Sequence, residues 1–216
     1  MDPLATSAKR GAPQTWNRYT YTLNNPMKFV DLTGEEIVFR DGTDPLFIAH
    51  VTQAMDKAAE MDKSGRVKAA LDRVKGSENK HYIAPGDQEG GNPLNMDDAT
   101  NGKGTGSNFV FKEGGYTDVD GHFNTPEQEA AHMLSHMEDN DSGTYDKTPA
   151  CTGCAPESEV KAVQTQNLVS PNDPKTTYRG QKVPNPTSPP PPPPSDGLTR
   201  NKYGETVGNP ERFRDM

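Results

Sequence analysis

The strongest constraint on how this chain can fold is the stretch Asn124-Thr-Pro-Glu-Gln-Glu-Ala-Ala-His-Met-Leu-Ser-His-Met-Glu-Asp139. Thr125 is a good N-cap, Pro126 fits the first helical position, and Glu127 and Glu129 suit the positive end of the helix dipole. A helix begun there places His132 and His136 one turn apart on one face, the spacing at which a helix offers two imidazoles to one metal ion. Glu129, three residues before His132, shares that face. It either satisfies the dipole or approaches the metal as a ligand or substitute base. Glu138 is expected to be solvated.

Around this helix the sequence supplies little apolar material. Leu, Ile, Val and Phe make up roughly 14% of the 216 residues and the net charge is −8, values that lean toward irregular structure over part of the length. A core over about two thirds of the chain is expected, with irregular ends. The acidic balance, with no clustered basic surface, argues against nucleic acid as a partner. No apolar run approaches the ~20 residues of a membrane span, and no signal peptide opens the chain. The two cysteines, Cys151 and Cys154, are too few for a disulfide framework and read either as a local redox pair or as two metal ligands.

In chain order, residues 1–34 alternate aromatic and polar side chains at Trp16, Tyr19 and Tyr21 and turn at Asn24-Asn25-Pro26, a β-rich piece too short to fold alone. A short strand is expected over Glu36–Arg40. A helix follows over Asp44–Met61, with Phe47, Ile48, Val51, Met55, Ala58 and Met61 at helical spacing, interrupted at Ser64-Gly65. A second helix carries Val67, Ala70, Leu71 and Val74 and closes at Gly76. His81–Ala84 and Asn108–Lys112 read as strands, with His50 and His81 as packed or exposed histidines rather than ligands. Pro85–Gly106 reads as a long surface loop. Its Gly102–Ser107 portion lacks phosphate-loop spacing and leads into a strand, so it is a turn. Asp118–Gly121 lacks the later acidic ligands of a calcium loop. Beyond a helix over Pro156–Val169, with Val160, Val163 and Leu168 toward the core, the chain turns polar. The prolines at 189–194 favour extended polyproline II, and residues 181–216 read as a flexible tail.

Two stretches carry family resemblances. Asn17–Asp31, in the order N-x-Y-x-Y-x-x-N-N-P-x-x-x-x-D, resembles the end of an Rhs/YD-repeat core, where a large β shell meets a variable C-terminal effector or toxin. In shells of that family that cleave themselves, aspartates at this junction are followed by proline. Asp2-Pro3 matches one such motif, but Leu32 follows Asp31, so both aspartates read as turn residues. From residue 35 onward the order of elements resembles secreted-effector zinc metallopeptidases. The matching pieces are "ALDRVKGSENKHYI" from Ala70, "GTGSNFVF" from Gly104, "HMLSH" from His132 and "ESEVKAVQTQN" from Glu157.

The resemblance implies an α+β, zincin-like domain at residues 35–180, with helices on a short sheet, between the Rhs junction and the Pro-rich tail. It implies Zn2+ on His132 and His136, with Glu159 as the third ligand. It also exposes a departure: Met133 stands where the H-E-x-x-H motif has its catalytic Glu, and Gln166 stands on a second acidic position, followed by Asn167. A thioether has no titratable proton, so peptide-bond hydrolysis is expected to be weak or lost unless Glu129 substitutes. The family context implies secretion or delivery into a target cell as part of a larger Rhs protein. It also implies a protein target there, the Rhs shell as a partner and a cognate immunity protein. One alternative stays open from the residues alone: His132, His136, Cys151 and Cys154 could close a structural His2Cys2 zinc site in a non-enzymatic toxin or binding module.

Overall fold

The computed structural model describes residues 37–40, 42–87 and 90–190, and the backbone of a short antiparallel pair, Thr199–Arg200 with Thr206–Val207. Two units are delimited, Met1–Glu35 and Glu36–Met216. The expected Rhs junction, with Asp2 and Asp31, lies outside the described residues, as do residues 191–198 of the Pro-rich stretch.

Strand β1 (Ile37–Phe39) leads to helix α1 (Pro45–Met61), whose start is set by Asp44, a side chain that accepts the Leu46 N–H, and by proline at the first position. The face expected from periodicity is buried at Phe47, Val51, Met55 and Ala58, together with Ala54. Met61 lies beyond it, half exposed. Asp62 then ends one helix and starts the next. Its Oδ1 accepts from Ser64 and its Oδ2 from the Val67 N–H, fixing the entry into α2 (Arg66–Lys75). Buried Val67, Ala70, Leu71 and Val74 form the apolar stripe of α2.

Strands β2 (His81–Pro85), β3 (Gly90–Pro93) and β4 (Ser107–Phe111) complete a four-stranded sheet in the order β1-β2-β4-β3. β1, β2 and β4 run parallel, with Ile37 opposite His81 and His81 opposite Ser107. β3 is the antiparallel edge strand, Gly91 opposite Phe109. The sequence expectation of one long loop over Pro85–Gly106 is corrected here. Its segment Gly-Gly-Asn-Pro has no apolar alternation because it is an exposed edge that joins through backbone bonds alone. The one-turn helix α3 (Met96–Thr100) is started by Asn95, whose Oδ1 accepts from Asp97 and Asp98.

A hairpin of β5 (Tyr116–Thr117) and β6 (Phe123–Asn124) precedes α4 (Pro126–Ser142). The expected N-terminus is present as a capping box: Thr125 accepts from the Gln128 N–H, and Gln128 Oε1 accepts from the Thr125 N–H. α4 is buried on every side from Gln128 to Asn140, which marks it as the central helix of the unit. It packs on α1, α2, α3, β4 and α5 (Glu157–Val169). Its apolar side, Ala130, Leu134 and Met137, meets Phe47, Val51, Val74, Ile83 and Phe111 in the main core. The glycine-rich turn before β4 wraps the other end of α4. Gly104, at φ 80°, lies so close that a Cβ would sit 2.0 Å from the Asp141 carbonyl, and the next residue, Thr105, donates its N–H to Asn140 O.

Burying a helix all round also buries its polar groups, which must then find partners. Glu138 is fully buried, bonded to both terminal guanidinium nitrogens of Arg66 and to Lys161 at 3.0 Å, and Lys161 also bonds Asp139. The expectation of a solvated Glu138 is therefore overturned. Its polarity is visible in the sequence, but the cations that cover it come from α2 and α5, 72 and 23 residues away in the chain. His81 is the packed histidine expected, bonded through Nδ1 to Ser107 Oγ at 2.7 Å. His50 is exposed against Glu113.

After α5, β7 (Thr177–Tyr178) and β8 (Gln181–Lys182) form a hairpin. Val160 and Val163 of α5 are buried with Ala155, Tyr178 and Val183 in a second small core. On this helix Val169, rather than Leu168, is the last buried residue. Asn167 bonds the backbone of Lys175 and Pro186, so the packed body extends past residue 180. The unit is thus α+β, with five helices and short sheets among the described residues. Among them no helix is long and apolar enough to cross a membrane.

Two outcomes follow for stability. Glu138→Ala should cost about 3–5 kcal/mol in urea denaturation, because it leaves the buried Arg66 guanidinium without its anion. Burial pushes the His81 imidazole down from 6.5 to about 4, against an opposing pull from Asp141. The unfolded chain therefore takes up a proton that the fold refuses. The stability contributed by neutral His81 is complete above pH 6.5 and falls as pH drops toward 4, by about 3 kcal/mol at most. Denaturation of the metal-free protein at several pH values should show this slope, and His81→Gln should flatten it.

Candidate metal centre

Two turns of α4 and the first turn of α5 build the site. The capping box sets where α4 begins, which sets the direction of His132 and His136. α5 crosses α4 closely enough for Thr165 Oγ1 to meet Ser135 Oγ at 3.4 Å. That crossing brings Glu159, from the start of α5, against the histidine pair. Nε2 of His132 and Nε2 of His136 are 3.1 Å apart, and Glu159 Oε2 lies 3.5 Å and 3.2 Å from them respectively. Three of the residues expected as zinc ligands are therefore brought together, and they form the one metal-competent group of this kind among the described residues.

The triangle can be tested against zinc. Ligand atoms of a tetrahedral site with bonds of about 2.0–2.2 Å lie roughly 3.2–3.6 Å apart. The three observed separations agree within about 0.1 Å of that range, and two imidazoles with one carboxylate are a donor set that zinc accepts. Burial by itself raises the Glu159 carboxyl, but the positive charge of His136 and hydrogen bonds from both histidines outweigh it and hold the group well below the usual carboxylate range. Glu159 is thus an anion at any ordinary pH.

The tautomer of His132 follows from its neighbours. Gln166 Nε2 donates to Asn124 Oδ1 at 2.5 Å, so Gln166 Oε1 is turned toward His132 Nδ1, 3.2 Å away, and must accept from it. The proton sits on Nδ1, so His132 can meet a metal through Nε2 once that nitrogen gives up the hydrogen it shares with Glu159. The chain of bonds continues: Asn124 Nδ2 donates to Asp118 Oδ2 at 3.3 Å, and Asp118 pairs with buried Lys175 at 2.7 Å. Burial raises the Asp118 carboxyl, yet its bonds and charge pairing with Lys175 prevail and keep it low. An ion pair at the far end therefore fixes each amide in turn, up to the imidazole.

A cavity of about 320 Å3 opens beside the triangle. His132, His136 and Glu159 line it, and so do Met133, Glu129 and Tyr145. The face of α4 predicted from the sequence is therefore the cavity wall. Glu129 is buried, with Oε1 accepting the Lys112 N–H at 2.9 Å, so it does more than complement the helix dipole from solvent. Residues of β3 also line the cavity. A Cβ at Gly91 would fall 2.1 Å from the Phe109 ring, so only glycine lets that ring lie across the edge strand and stack on His136 at 6.5 Å.

The two cysteines are not brought to the histidines. Cys151 and Cys154 are joined to each other in a disulfide, and a disulfide offers no thiolate to a metal. The His2Cys2 arrangement is thereby replaced by the local pair that their spacing also allowed. Missed from the sequence were the roles of Gln166 as the partner of His132 and of Tyr145, Tyr178 and Arg179 as lining residues. Only the position of Gln166 beside Asn167 in the matched segment pointed toward the site.

Comparison of the chain with protein-family models, curated proteins and solved structures returned no match.

If Gln166 orients His132, then Gln166→Leu should weaken zinc binding by about 10–100-fold in competition with a chromophoric chelator. Gln166→Glu, which also accepts from Nδ1, should retain it. Equal affinity of Gln166→Leu and wild type would remove the orienting role.

Proposed function

We propose that residues 36–190 form a zinc-binding, metallopeptidase-like effector domain carried by an Rhs-type protein, with peptide-bond hydrolysis weakened by Met133. The observation that carries this reading is the His132, His136 and Glu159 triangle, three donors on two crossing helices beside an open cavity. A site with three protein ligands and one open side suits a catalytic metal, whereas structural sites are closed by four. Bound there, zinc would act as a Lewis acid toward a carbonyl and lower the pKa of water.

The residues around the triangle have separable roles. Glu159, His132 and His136 would hold the ion, and Gln166 keeps the His132 proton on Nδ1. The Tyr145 phenol beside His136 is raised by burial and by the charges of Glu159 and Asp139, so it stays protonated and can donate to charge developing on a substrate oxygen. Glu129 is the cavity carboxylate outside the triangle and takes the part of proton acceptor. Met133 fills the adjoining wall without chemistry of its own. The exposed edge of β3 along the same cavity suits an extended peptide, which can add to a sheet edge through backbone bonds. The Rhs origin and delivery into a recipient cell rest on the resemblance of the sequence at Asn17–Asp31.

The test is to restore the acid. Met133→Glu in the zinc-loaded protein should raise hydrolysis of a peptide library by about 10²–10⁴-fold over wild type, and Glu129→Gln should remove what activity wild type has. A Met133→Glu protein that folds and binds zinc but gains no peptidase activity would overturn the reading.

A further inference from the structure

The β7–β8 hairpin turns on Arg179-Gly180. Both residues have positive φ, 49° and 77°, as a two-residue turn of the primed type requires. Asn or Gly ordinarily fills the first place. An arginine there holds its backbone in the left-handed region, where its Cβ is crowded. The turn is tied from outside by the Gly180 N–H, which donates to Asp120 Oδ1 at 2.7 Å. A backbone outlier kept this way at a cavity rim is grounds for asking what its side chain does.

The guanidinium of Arg179 lies 5.3 Å over the Tyr178 ring, and that ring stacks on His132 at 6.0 Å with an interplanar angle of 19°. Arg179 is exposed and lines the cavity. Lys175, 5.5 Å from the same ring, is buried and committed to Asp118. Among the described residues Arg179 pairs with no carboxylate; of the acidic groups that line the cavity, Glu159 belongs to the triangle and Glu129 accepts the Lys112 N–H. An arginine fork braced on an aromatic face, beside a histidine of the triangle and with no counter-ion among the described residues, is built to take a carboxylate.

We infer that Arg179 is the specificity-determining residue of this site and reads a carboxylate on the bound peptide, an inference that rests on the peptide-site reading above. A phosphate suits it less: a doubly charged group would call for more than one cation and would meet Glu129 and Glu159 in the same cavity. The carboxylate has two sources, an Asp or Glu side chain or the free C-terminus of the peptide.

Three hydroxamate-bearing peptides, titrated calorimetrically into zinc-loaded wild type, separate these cases. One has a glutamate and an amidated C-terminus, one has glutamine and an amidated C-terminus, and one has glutamine and a free C-terminus. At least one acid peptide should bind about tenfold or more tightly than the glutamine amide, and which one does so identifies the source. Arg179→Asn, which suits the turn and so keeps the hairpin, should make all three equal. Three equal affinities in wild type would overturn the role of Arg179 and leave the peptide-site reading standing. A preference that survives in Arg179→Asn would also overturn it. No binding of any hydroxamate would remove both.

Discussion

The structure depends on α4 being buried on every side. A surface helix could present His132 and His136 to solvent and little else. A helix enclosed by α1, α2, α5 and the sheet has to satisfy each polar residue it carries, and the partners come from distant parts of the chain. Arg66 and Lys161 answer Glu138, Gln166 answers His132, and Glu159 answers the histidine pair. The metal-competent triangle is one of these compensations, the one left open to a cavity.

This accounts for the division between what the sequence shows and what it conceals. Thr125, Pro126 and Gln128 determine the start of α4 locally, so the cap and the common face of the two histidines were legible from spacing alone. The apolar stripes of α1 and α2 were legible for the same reason. Glu138 was not, because an acidic residue reads as solvated until the cations covering it are placed, and those arrive through tertiary packing. β3 was hidden differently: an edge strand of Gly-Gly-Asn-Pro carries no alternation, since its pairing uses backbone groups only. Gln166 looked like the loss of an acid. In the fold its amide joins a chain from Lys175 to His132, where an acceptor is all that the imidazole needs.

On the proposed reading, the centre combines a complete set of metal donors with an altered chemical half. Two imidazoles and a carboxylate sit at zinc-like separations, and an ion pair anchors the imidazole tautomer through two amides. Met133 contributes packing where an acid would contribute proton transfer, while Glu129, one helical turn earlier, keeps a carboxylate in the cavity.

X-ray absorption at the zinc edge tests the central claim most directly. On the zinc-loaded protein the account predicts one ion per chain, bound by nitrogen and oxygen at about 2.0–2.2 Å, with imidazole scattering from two histidines. A sulfur shell at about 2.3 Å, or no stoichiometric zinc at all, would contradict it.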